Sequence, residues 1–145
     1  MNATPQVLWE KEWTIASDTQ VGRGVIDEIL RELDQHGWEA GQLFGIHLAL
    51  EEGVTNAIRH GNRRDPHKQV RISCHLSAER VRLEIEDEGP GFDPSAVPDC
   101  TCLENLEKPG GRGLYLIQNY MDLVEYTGRG NQLVLEKAWR RRSDK

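Results

Sequence analysis

Apolar residues recur along this chain with two different periods, and each period dictates an element. Val7, Trp9, Lys11 and Trp13 fall on one face of an alternating segment, with Leu8, Glu10 and Glu12 on the other, which predicts an edge strand. From Val21 the period lengthens to four. Val21, Val25, Ile29 and Leu33 form the stripe of an amphipathic helix that Gly37 stops, and Ser17 to Gln20 reads as its capping box. Gly22 and Gly24 lower the helix propensity of its first turns.

A second helix is predicted from about Glu39 to His60, with Leu43, Ile46, Leu50, Val54 and Ala57 as its stripe and Gly61-Asn62 as its stop. Alternation then returns. Val70, Ile72, Cys74 and Leu76 interleave with Arg71, Ser73 and His75, and Val81, Leu83 and Ile85 interleave with Arg82, Glu84 and Glu86. With Ser77 to Arg80 as the turn, these read as a hairpin with one buried face. Residues from Gly89 to Gly113 hold most of the glycine and proline and little periodicity, and a loop that long in a small domain points to a functional lid. A third helix carrying Leu114, Ile117, Tyr120 and Met121 follows, then strands at Leu123 to Thr127 and Gln132 to Trp139.

Length and charge narrow the function. At 145 residues the chain matches one domain over 1–145, able to bury roughly two-thirds of its unfolded surface. A net charge of −6 argues against direct nucleic-acid binding, and the basic tail of Arg140, Arg141 and Arg142 reads as solvated. The N-terminal segment has no signal-peptide pattern and no run reaches membrane-spanning length, so a cytoplasmic protein is expected. Cys74, Cys100 and Cys102 are an odd number without secretory context, so no disulfide framework is expected. Cys100-x-Cys102 lacks the spacer of zinc knuckles, and no cysteine metal site is expected.

Three places carry chemistry. Glu52 and Asn56 stand one above the other on the second helix, roughly 200° around from Leu50, on a side shared with Gly45, Ala49 and Arg59. A carboxylate, an amide and a guanidinium beside small residues leave room for a polyanion; a plain solvated face would look the same. Alternation along the strand from Val81 places Asp87 on the core side, where a carboxylate needs a donor, and an adenine amino group is one. The glycines of Glu88-Gly89-Pro90-Gly91 permit close backbone approach there, although an ordinary turn would also use them. Lastly, Gly110-Gly111-Arg112-Gly113 leads into the third helix, a turn whose free N–H groups suit phosphate. Neither a P-loop nor the protein-kinase motif set is present.

Glu52-x-x-x-Asn56-Ala57, Asp87-x-Gly89-x-Gly91 and Gly111-x-Gly113, in this order, resemble the N, G1 and G2 boxes of the GHKL, or histidine-kinase-like, ATPase superfamily. Within it, Leu50-Glu51-Glu52-Gly53-Val54-Thr55-Asn56-Ala57-Ile58-Arg59-His60-Gly61 is similar to the anti-sigma-factor serine kinases. The resemblance implies an α+β, two-layer α/β sandwich of the Bergerat type, with helices on one face of a mixed, mostly antiparallel sheet and a lid at about 89–113. It implies ATP and Mg²⁺ as cofactors. Asn56 would ligate the metal, Asp87 would bind the adenine, and Glu52 would act as general base on a serine. Gly89, Gly91, Gly111, Arg112, Gly113 and Leu114 would form the pocket wall and phosphate loop, and Arg59 would lie near the phosphates. Two departures stand out. Gly130-Asn131-Gln132 replaces the family's Gly-Thr, with Asn131 expected to substitute for the threonine, and Glu51 replaces a small residue.

The implied partners are a sigma factor, an anti-anti-sigma protein of the STAS type and a second copy of the chain. Two alternatives remain, a non-catalytic ATP-binding regulatory module and a detached ATPase domain of a two-component system. For the latter a helix pair with a phosphoacceptor histidine would be expected before the ATPase domain, and His36 reads instead as a helix cap.

Overall fold

The computed structural model describes residues 7–90, 118–128 and 131–139. Its elements run β1 (Val7–Ala16), α1 (Thr19–Gln35), α2 (Ala40–Asn56), a π-helical turn (Ala57–Gly61), β2 (Gln69–Ser77), β3 (Arg80–Glu86), β4 (Leu123–Thr127) and β5 (Gln132–Ala138). The five strands form one sheet in the order β1-β2-β3-β5-β4, and every neighbouring pair among them is antiparallel. Strand β1 lies at an edge, and β2 and β3 pair as the expected hairpin with Ile72 opposite Ile85.

Among the described residues, the period-two pattern explains why the helices pack on one sheet face. Val70, Ile72, Cys74 and Leu76 of β2, Val81, Leu83 and Ile85 of β3, and Leu133 and Leu135 of β5 join Ile29, Leu33, Ile46, Leu50 and Val54 of the helices in one buried core. The opposite face is a polar lattice. Arg71 spans Glu12 and Glu86, His75 spans Glu10 and Glu84, and Arg82 Nη1 donates to Glu136 at 2.6 Å. Exposed pairs of this kind contribute about 0–1 kcal/mol each. Their main effect is to keep that face wet.

Helix boundaries depart from the sequence reading in three ways. Asp18, not Ser17, caps α1, its Oδ1 accepting from the Gln20 N–H at 2.8 Å. Ser17 Oγ instead donates to the Lys68 C=O at 2.8 Å, tying the start of α1 to the start of β2. Val21 is 44% exposed, and Gly22 takes its place on the buried face. A Cβ at Gly22 would lie 2.8 Å from Val54 Cγ1, so α1 approaches α2 at a distance that only glycine permits. The third difference is the end of α2, where regular helix stops at Asn56 and five residues widen into the π turn. His36 does cap α1.

Two substitutions test the helix crossing. Val54 is β-branched and has one strongly preferred rotamer in a helix, so it cannot swing away from a neighbour. Gly22→Val is expected to cost about 1–3 kcal/mol by overpacking. Gly24 has nothing within 4 Å of a Cβ, and Gly24→Ala is expected to gain about 0.5–1 kcal/mol from helix propensity. Urea midpoints at unchanged m-value read both, and equal shifts would disprove the close crossing.

Candidate active site

Regular helix geometry brings Glu52 and Asn56 together on the last turns of α2, both half-buried. Neither side chain makes a hydrogen bond or ion pair among the described residues. Arg59, on the π turn, is exposed and also unpaired among them. Glu51 differs, because its carboxylate lies 3.7 Å from His47 Nε2 on the exposed side of the helix.

The face is less open than the small residues suggested. Ala49 is fully buried, and a Cβ at Gly45 would meet the Tyr120 ring at 3.0 Å. Lys137 Nζ donates to the Tyr120 C=O at 2.6 Å and fixes that segment over the helix. Glycine and alanine there admit a packed aromatic rather than a ligand. Among the described residues, the unengaged polar part of the face is Glu52, Asn56 and Arg59.

Beyond Asn56 the π turn redirects the chain. The Asn62 N–H donates to the Ala57 C=O at 2.8 Å, one residue wider than an α-turn, a feature that recurs at functional sites. It lays Gly61 directly against Asp87. A Cβ at Gly61 would sit 2.3 Å from the Asp87 carboxylate carbon, and one at Gly89 would sit 2.0 Å from the Gly61 carbonyl oxygen. Gly61, Asp87 and Gly89 therefore share a contact that tolerates no side chain at either glycine.

Asp87 is half-buried. Its Oδ1 accepts from the Gly89 N–H at 2.8 Å, its own N–H donates to the Asn131 C=O at 2.9 Å, and its C=O accepts from Asn131 Nδ2 at 2.8 Å. The β3–β5 ladder is thus extended by one residue beyond Glu86 and Gln132. Asn131 engages its amide with the backbone of Asp87. Tyr126 on β4 lies within electrostatic reach of Asp87. Burial pushes its hydroxyl up to about 12, and the Asp87 charge adds to this.

The structure therefore brings Asp87, Gly89 and Asn131 to the C-terminal end of the helix that bears Glu52 and Asn56, beside the π turn that bears Arg59. Gly91, Gly111, Arg112, Gly113 and Leu114 lie outside the described residues, as do the lid from residue 91 onward, Cys100 and Cys102. The sequence reading missed Tyr126 and the contact role of Gly61. Alternation along β4 carried a signal for Tyr126, since Val124 and Tyr126 share a face; nothing local revealed what Gly61 touches.

Among the described residues no group of three or more His, Cys, Asp or Glu side chains could hold a metal. Cys74 is buried, with its thiol pushed up to about 12 chiefly by burial, while neighbouring His75 faces the other side of the sheet. The amide oxygen of Asn56 fits a hard cation such as Mg²⁺, which takes few protein ligands and completes its shell with phosphate oxygens and water. No described helix is long and apolar enough to cross a membrane.

Comparison with known proteins gives a consistent result. The profile of the histidine kinase-like ATPase domain matches residues 15–137. The anti-sigma F factor of Oceanobacillus iheyensis is 31% identical over 115 residues, covering 77% of this chain and 76% of that protein. The anti-sigma F factor of Geobacillus stearothermophilus is 34% identical over 104 residues, covering 68% and 70%. The crystal structure of the RsbU and RsbW domains of a Mycobacterium tuberculosis protein superposes with a TM-score of 0.61 at 18% identity. That match covers 91% of this chain and 32% of the larger one, and it shows the fold.

Proposed function

This chain belongs to the histidine kinase-like ATPase domain family, and from that premise we propose that it is an ATP- and Mg²⁺-dependent anti-sigma factor serine kinase. Its relatives named anti-sigma F factor support a sigma factor as one partner, and we assign a STAS-type anti-anti-sigma protein as its phosphorylation target. A homodimer in the cytoplasm is part of the same proposal.

The observation that carries it is the half-buried pair Glu52 and Asn56, unengaged among the described residues, on the helix whose end holds the contact of Gly61, Asp87 and Gly89. In this reading Asp87 accepts from the exocyclic amine of adenine, and Gly61 and Gly89 let the backbone close around it. Asn131 supports base binding through Asp87, whose backbone it holds. The Asn56 amide oxygen ligates Mg²⁺ and Arg59 faces the phosphates. Gly91, Gly111, Arg112, Gly113 and Leu114 supply the phosphate loop, an assignment that rests on the sequence motifs. Bound Mg²⁺ supplies charge neutralisation of the phosphates. Glu52 takes the proton of the substrate serine as its oxygen bonds to the γ-phosphorus and the bond to the ADP oxygen breaks.

The test is incubation with labelled ATP and candidate STAS proteins, read as phosphoserine. ATP binding without transfer to any target would favour the non-catalytic module. For the metal ligand, Asn56→Ala is expected to weaken Mg²⁺-ATP binding by about tenfold or more, since it loses an interaction with a charged centre. Metal-free ATP binding should change little. Calorimetry with and without Mg²⁺ decides, and unchanged Mg²⁺-ATP affinity removes Asn56 from the site.

A further inference from the structure

Asn62 follows the π turn and is 0% exposed, a polar side chain buried where the other buried side chains among the described residues are apolar. A buried amide is costly unless its atoms find partners, and here they do. Its Nδ2 donates to Ser17 Oγ and to the Gln69 C=O, both at 3.0 Å. Its Oδ1 accepts from the Glu88 N–H at 2.7 Å. Its backbone C=O accepts from the Asp65 N–H at 3.0 Å.

These contacts divide into two kinds. Those to Ser17 and Gln69 join the entrances of α1 and β2, which is scaffolding. The contact to Glu88 grips the peptide that follows Asp87. Because a peptide unit is planar, holding the Glu88 N–H fixes the plane in which the Asp87 carbonyl lies. Asn131 holds that carbonyl and the Asp87 N–H from the side of β5. With the backbone held from two sides and Oδ1 accepting from Gly89, the direction of the Asp87 carboxylate is set by groups outside it. Glu88 adds to the clamp, its carboxylate accepting from the Gln69 N–H.

We infer that Asn62 is a positioning residue for base recognition: it aims the Asp87 carboxylate and so sets the preference for a purine with an exocyclic amine. This rests on the reading of Asp87 as the acceptor for adenine. Asn62 touches no nucleotide; it acts through the Asp87–Glu88 peptide.

The experiment compares binding of ATP with purine riboside triphosphate, which lacks only the amine, in the unsubstituted chain and in variants, each measured where it is folded. The unsubstituted chain is expected to prefer ATP by about 10- to 100-fold, as for a hydrogen bond to a charged group. In Asn62→Ala the preference should shrink to within about threefold, with affinity for the amine-free nucleotide retained. Asn62→Asp keeps an acceptor for the Glu88 N–H, so it should lose stability yet hold most of the preference. Ser17→Ala should lower stability alone.

A full preference in Asn62→Ala, even with a lower Tm, overturns the inference and leaves the kinase reading standing. No preference in the unsubstituted chain overturns the Asp87 reading, and this inference with it. If Asn62→Ala does not fold, hydrogen exchange at the Glu88 amide of the unsubstituted chain decides. Exchange should slow several-fold more with ATP than with the amine-free nucleotide, and equal slowing overturns the assignment.

Discussion

Replacing Glu52 with glutamine is expected to lower serine phosphorylation by about two to four orders of magnitude while ATP affinity stays within a few-fold, the range of a positioned general base. Glutamine keeps the size and a carbonyl oxygen but cannot take a proton. The carboxylate is half-buried and makes no hydrogen bond or ion pair among the described residues, so its loss strands no neighbour there. Glu51→Gln is the internal control. It lies about 100° around the helix and faces His47, so it should leave turnover near the unsubstituted value. Phosphoserine formation on a cognate target and ATP binding are measured for both variants. Equal rates in the two variants and the unsubstituted protein would remove the general-base role.

The second large effect falls on binding. Asp87→Asn should weaken ATP by about 10- to 100-fold, because a side-chain amide has one oxygen where the carboxylate has two. In the folded protein Oδ1 already accepts from the Gly89 N–H. An asparagine that preserves this bond presents its NH₂ to the adenine amine, donor against donor. One that turns to face the adenine opposes the Gly89 N–H instead. Gly61→Ala should act on the same contact by a different route, since its Cβ would lie 2.3 Å from the Asp87 carboxylate carbon and force the carboxylate or the turn aside. Both variants should weaken ATP and ADP by the same factor, because the contact is to the base. Calorimetric titration of each nucleotide checks this, and a loss confined to ATP would relocate Asp87 to the phosphate end.

Much of this was legible in the chain itself. Alternation at period two made β2 and β3 a hairpin with one buried face, and it put Asp87 on the core side of the sheet. Period four made α1 and α2 amphipathic and stacked Asn56 above Glu52. These are local consequences of backbone geometry, which fixes the relation between residues a few positions apart whatever the rest of the molecule does. The same local geometry holds within each of the three boxes, and their order along the chain carried the family resemblance.

Other features required long-range contacts. Gly45 and Ala49 looked like space left for a ligand, yet Tyr120, distant in sequence, packs on Gly45. Gly22 looked like a weak point in a helix and is the place where Val54 comes closest. Gly61-Asn62 read only as a helix stop. In the fold, Gly61 lies under the Asp87 carboxylate and Asn62 joins Ser17, Gln69 and Glu88. A residue's local pattern states its conformational preference and the side of the element it occupies. What meets it there is decided when the sheet closes against the helices, because only then do groups far apart in sequence compete for the same few ångströms.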